Sequence, residues 1–119
     1  MKAELKKKWV DALRSGQYVQ GQMRLTKMVT TADNREERRF CCLGVLCEVM
    51  GLKLAPSGEA YALPENIGKP LTFQLDEKRL NECGIDGKVQ DALIGKNDTD
   101  NETFEQIADY IERCLPCDA

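Results

Sequence analysis

The chain has 119 residues, 42% of them hydrophobic and 31% charged, with a formal net charge of -3; this balance excludes a disordered tail and fits one domain over residues 1–119. Histidine is absent, which removes the commonest general base, the commonest metal ligand and every Ser/His or Cys/His catalytic pair. No apolar run approaches the roughly 20 residues of a spanning helix, and the lysine-rich opening leads into an amphipathic stretch and not a signal-peptide core, so a cytoplasmic protein without membrane contact is expected.

Leu5, Trp9, Ala12 and Leu13 recur at helical spacing with Val10 beside them, predicting an amphipathic helix from about Lys2 to Ser15 that Gly16 ends. Residues 17–22 read as a turn. Met23, Leu25 and Val29, with Arg24, Thr26 and Lys27 between and after them, suggest a strand whose basic side chains face water. Thr31-Ala32-Asp33-Asn34 is rich in turn formers, and Arg35 to Phe40 can return as the second strand of a hairpin. The apolar run from Phe40 to Met50, closed by Gly51, predicts a buried helix, with a buried strand as the alternative for its first half.

Residues 52–75 hold Pro56, Pro64 and Pro70 and should be irregular with brief extended pieces. Asp76 can cap a short helix that runs through Leu80 to Cys83 and closes at Gly84. Val89, Ala92 and Leu93 allow another, and residues 97–101 read as a polar loop. Thr103 and Gln106 have capping-box spacing ahead of a last helix with the apolar face Phe104, Ile107, Ala108, Ile111 and Leu115, stopped by Pro116. Three main helices packed on one face of a short antiparallel hairpin or small sheet make the expected class α+β.

Two stretches carry a family resemblance. The run Lys8-Trp9-Val10-Asp11-Ala12-Leu13-Arg14-Ser15-Gly16-Gln17-Tyr18-Val19-Gln20-Gly21, with Cys41-Cys42-Leu43-Gly44-Val45-Leu46-Cys47-Glu48 after it, resembles a family of small bacteriophage and prophage proteins. The ending Asn97-Asp98 with Phe104-Glu105-Gln106-Ile107-Ala108-Asp109-Tyr110-Ile111-Glu112 is similar to the same family. The resemblance implies a phage setting, hence host cytoplasm, and no catalytic residues.

Cys42 with Cys47 and Cys114 with Cys117 could supply four zinc thiolates, but residues five apart on one helix point in poorly matched directions, and cysteines in an apolar run behave as small hydrophobes. Buried free thiols and no cofactor are expected. Cys114-Leu115-Pro116-Cys117 has dithiol spacing but sits at a helix C-terminus, where the dipole disfavours a thiolate. Asp98, Asp100 and Glu102 alternate like calcium ligands, yet the glycine and the bidentate glutamate of such a loop are missing, and a helix N-terminus favours acids anyway.

Up to Arg39 the chain holds ten basic and five acidic residues; beyond it, seven basic and fifteen acidic. The asymmetry points to a basic surface for an anionic partner. Its candidate ligand-binding residues are Tyr18, Gln20, Arg24, Lys27, Arg35, Arg38 and Arg39, since arginine forks hold phosphate bidentately and tyrosine can stack on a base. A solvent-facing strand edge would use Arg24 and Thr26 for protection against aggregation instead. The leading expectation is a non-enzymatic phage accessory protein that binds a host protein, one of the host's defences among the candidates, and hinders or sequesters it. The alternative is a basic-face binder of nucleic acid or an anionic nucleotide-type ligand. An enzyme would have to work through Asp98, Cys42 or Cys47.

Overall fold

The computed structural model describes residues 1–117. Helix α1, Ala3–Arg14, buries Trp9, Val10 and Leu13, and Gly16 breaks it in the left-handed conformation at φ +77°. The Trp9 indole N–H donates to the Cys42 carbonyl at 2.9 Å, so the largest core side chain also satisfies its polar atom.

Three strands follow: β1 Val19–Gln20, β2 Thr26–Thr30 and β3 Glu36–Phe40. The hairpin of β2 and β3 is antiparallel as expected, with Lys27 opposite Arg39 and Thr26 opposite Phe40. Two expectations need correction. The sheet is mixed, because β1, read as a turn, runs parallel to the far side of β3 in the order β1-β3-β2. The hairpin's first strand begins at Thr26 and not at Met23; Thr26 is fully buried and serves the core, so it is no part of a wet edge.

Helix α2, Cys42–Val49, settles the ambiguous run as helical. Its cap is unusual: the Cys41 sulfur accepts from the Gly44 N–H at 3.4 Å. A Cβ on Gly44 would lie 1.8 Å from the Leu25 carbonyl oxygen, so this glycine lets the helix backbone sit directly on the segment leading into β2. The proline-bearing stretch is held by single bridges, Leu54 to Tyr61 and Tyr61 to Leu71. Tyr61 is fully buried and its hydroxyl donates to the Glu48 carboxylate at 2.8 Å.

Helix α3, Glu77–Cys83, is capped by Asp76 and closed by left-handed Gly84. Helix α4, Gly87–Ile94, is capped by Asp86 and runs on into a π-helical turn, Gly95–Thr99, where a polar loop was expected. Helix α5, Phe104–Cys114, carries the full Thr103/Gln106 capping box. Its face of Phe104, Ile107, Ala108 and Ile111 is buried, and so is Leu115 after it; each large side chain there contributes about 1.5–3 kcal/mol.

The class is therefore α+β, with five α-helices among the described residues and a three-stranded mixed sheet. Helix α1 packs against α2 and α5, and α2 backs β3. Arg14 of α1 joins Glu105 (3.2 Å), Asp109 (2.5 Å) and Glu112 (3.0 Å) of α5. One use of the charge asymmetry is thus internal: a basic first helix clamps an acidic last one. No described helix is long and apolar enough to cross a membrane.

Candidate ligand-binding cleft

The site starts from a change of helical period. A π turn takes one more residue than an α turn, and here it points Asn97 inward, where it is fully buried. Its side-chain oxygen accepts from Gln20 Nε2 at 2.9 Å and from the Cys42 N–H at 3.2 Å. Its amide nitrogen donates to the Gly21 carbonyl at 2.9 Å and to Asp98 Oδ1 at 2.8 Å. One side chain thus ties β1, the start of α2 and the π turn together.

The same network fixes two glutamines. Gln20 Nε2 also donates to the Glu102 carbonyl at 2.8 Å. Gln22 Nε2 donates to the Asn97 carbonyl at 3.4 Å and to Asn101 Oδ1. Both amide nitrogens are engaged, which leaves both amide oxygens to accept from something else.

Beside them the sheet register sets Lys27 opposite Arg39. Gly21 makes room: a Cβ there would lie 2.8 Å from Arg39 Cβ. Like charges directly across a pair of strands repel, and only part of that is relieved locally. Arg39 Nε meets Glu37 at 3.0 Å, whereas Lys27 has no ion pair among the described residues. Gln20, Gly21, Gln22, Lys27, Arg39, Asn101 and Glu102 line an open cleft of about 270 Å³. Glu102 is itself paired with Lys96 at 3.2 Å, and that ammonium lies 4.4 Å from the centre of the Tyr110 ring.

Of the candidate residues read from the sequence, Gln20, Lys27 and Arg39 come together here. The others lie elsewhere. Arg38 is next to Arg39 on a strand and so points to the opposite face, where it donates to Thr26 Oγ1 at 3.1 Å and to the Gly58 carbonyl. Tyr18 packs edge-on against Phe40, ring centres 5.1 Å apart, as part of the core's margin. Arg35 is exposed beside the hairpin turn and pairs with Asp33 at 3.3 Å. Arg24 lies over the Phe73 ring at 5.6 Å. Gln22 and Asn101 were not anticipated, and Glu102 only as part of an alternating acidic run; their polarity was visible, but their convergence depends on the π turn.

Arg24 and Phe73 belong to a second feature. The Leu25 N–H donates to the Thr72 carbonyl at 2.9 Å, which brings residues 23–25 beside residues 72–73. Met23 stands at φ +77°, a conformation costly for any residue but glycine. It is 68% exposed, and Phe73 is 59% exposed.

Cys41, Cys42, Cys47 and Cys83 are buried free thiols, but Cys114 and Cys117, expected to be buried, are free and exposed, because they stand at and beyond the end of α5. Burial pushes the Cys41 thiol up to about 12 and raises those of Cys42 and Cys47 too, so these sulfurs are held protonated at neutral pH. Among the described residues no group of three or more Cys, Asp or Glu side chains is placed to hold a metal ion.

The chain belongs to the family described as Domain of unknown function (DUF8296), which matches it over residues 1–82. That span contains Gln20, Lys27 and Arg39, whereas Asn97, Asn101 and Glu102 lie beyond it. No curated protein and no solved structure matches the chain.

Proposed function

We propose that this chain is a non-enzymatic phage accessory protein that binds a host protein and hinders or sequesters it. The observation that carries the reading is the exposure of Met23 and Phe73 on neighbouring segments, with Arg24 over the Phe73 ring. An apolar side chain on strained backbone is tolerated at a stability cost, and such strain collects where a surface does work. Methionine, arginine and aromatic residues are also the types enriched where proteins meet. Arg24 has no ion pair among the described residues, so the complementary surface is acidic at its centre. The phage setting is supported by the resemblance of residues 8–21 and 41–48 described above.

The test is a pull-down from phage-infected host lysate with the wild-type chain, Phe73→Asp and Met23→Gly. A host protein retained by wild type and lost from both variants is expected, with thermal unfolding of Met23→Gly unchanged or raised because glycine relieves the strain. Equal retention by all three would remove these residues from the reading. A second reading, an anionic small ligand, is favoured by the Lys27 and Arg39 cations in the cleft.

A further inference from the structure

We propose that the cleft beside β1 takes a small phosphorylated ligand that also carries neutral hydrogen-bond donors, of the mononucleotide class. The inference deepens the second reading above and is independent of Met23 and Phe73. It rests on which atoms are left over. Arg39 uses Nε on Glu37, so its two terminal nitrogens are available as a fork, and Lys27 stands directly across the strand pair. A phosphate between them would turn a repulsive cation pair into an attractive three-body contact, with the bidentate geometry that arginine offers oxyanions.

The glutamines decide what accompanies the phosphate. Their nitrogens are engaged by Asn97, Glu102 and Asn101, so their oxygens are what remains for a ligand. Two amide oxygens repel a bare anion. They accept from an exocyclic amine, a ring N–H or a sugar hydroxyl. The Glu102 side chain, whose charge is partly offset by Lys96, adds a further acceptor of the kind that suits a sugar hydroxyl. Because Asn97 is fully buried and bonded on both sides of its amide, these acceptors are already in place before binding, which lowers the ordering cost. A volume of about 270 Å³ lies just below the usual range of ligand sites, which suits a mononucleotide better than a longer chain.

The experiment is calorimetric titration of the full chain with inorganic phosphate, ribose 5-phosphate, each ribonucleoside monophosphate, the matching free nucleosides, and a short single-stranded oligonucleotide. At least one monophosphate should bind about tenfold tighter than phosphate or its own nucleoside, a gap of about 1.4 kcal/mol. Lys27→Met should weaken that monophosphate by about tenfold or more, as loss of one charge-assisted contact implies. Gln22→Met should lower the monophosphate toward the affinity of phosphate while leaving phosphate itself unchanged. Both side chains are partly exposed, and a folded state is checked for each variant by its amide spectrum. Lys27→Gln is the substitute if Lys27→Met does not fold.

Equal affinity for phosphate and every monophosphate would overturn the proposal, as would no binding by any probe up to about 1 mM. Tighter binding of the oligonucleotide than of any monomer would also overturn it, by pointing to a strand and not a free nucleotide. None of these outcomes touches the partner test with Phe73→Asp, so the two proposals fail separately.

Discussion

Replacing Asn97 with alanine tests the keystone of both the fold and the cleft. The substitution deletes hydrogen bonds to two backbone groups that have no water to turn to: the Cys42 N–H at 3.2 Å and the Gly21 carbonyl at 2.9 Å. Both residues are buried. A buried polar group left without a partner costs about 1–3 kcal/mol, and the vacated volume adds to it, so Asn97→Ala should cost about 3–5 kcal/mol. Gln20 keeps its bond to the Glu102 carbonyl and so does not add a third orphan. With a urea slope near 1.5 kcal/mol per molar, the unfolding midpoint should fall by about 2–3 M. Asn97→Asp separates the two halves of the amide. It keeps an acceptor for Cys42 and Gln20 but sets an oxygen against the Gly21 carbonyl and a second charge beside Asp98, so at neutral pH it should destabilise as much as alanine. Protonation restores a donor, so its deficit relative to wild type should narrow as the carboxyl titrates in acid. A midpoint shift below about 0.5 M for Asn97→Ala, or an Asn97→Asp chain as stable as wild type at pH 7, would refute the reasoning.

Three further outcomes follow from the packing and the titrating groups. Gly44→Ala places a methyl 1.8 Å from the Leu25 oxygen, beyond the about 1–3 kcal/mol of ordinary overpacking, and should leave no cooperative unfolding transition by circular dichroism at 37 °C; Gly95→Ala, with nothing within 4 Å, should be neutral or stabilising. An aromatic disulfide reagent at neutral pH should label Cys114 and Cys117 quickly and the buried Cys41, Cys42, Cys47 and Cys83 only at the rate of opening; fast labelling of a third thiol would contradict the burial. The guanidinium of Arg79, bonded to both Glu65 oxygens, holds that carboxyl down to about 2 from its ordinary 4.5. A depressed carboxylate contributes stability that is whole above the unfolded value and is lost as pH falls toward the folded one, so wild type should lose stability between about pH 4.5 and 2 more steeply than Glu65→Gln. Identical acid profiles would show that the pair does not couple to folding.

What could be read from the chain alone was whatever is settled within a few residues. The Phe104, Ile107, Ala108 and Ile111 stripe, the Asp76 cap, the Thr103 and Gln106 box and the left-handed glycines 51 and 84 each complete their physics inside one or two turns. Strand β1 was illegible because two residues have no period, and its partner Arg39 lies twenty positions away. The π turn was illegible for a different reason: Lys96-Asn97-Asp98-Thr99 has the composition of a solvated loop, and Asn97 is affordable in the core only because Gln20, Gly21 and Cys42 arrive from far along the chain. In the cleft, residue type identified Lys27 and Arg39. The strand period could also have separated Arg38 from Arg39, since neighbours on a strand face opposite ways.

The charge asymmetry shows why a count of basic residues overstates a binding face. A cation that meets carboxylates within the fold has its field largely cancelled, and what remains is available to a partner only where the fold leaves it unmatched. Arg14 is matched by three acids of α5, and Arg79 by Glu65 and Asp76. Arg38 is engaged by a hydroxyl and a carbonyl, and Lys6 by the Glu112 carbonyl near the C-terminal end of α5, where a helix dipole favours a cation. Arg14, Arg38 and Lys6 count toward the basic surface in the sequence, yet each is engaged by a partner within the fold. Among the described residues Lys2, Lys8, Lys53, Lys69 and Lys88 have no ion pair either, but Lys27 and the free edge of Arg39 are the cations that line the cleft, and Arg24 lies over Phe73. Since screening weakens contacts between exposed charges, the ligand binding proposed for the cleft should weaken as salt is added.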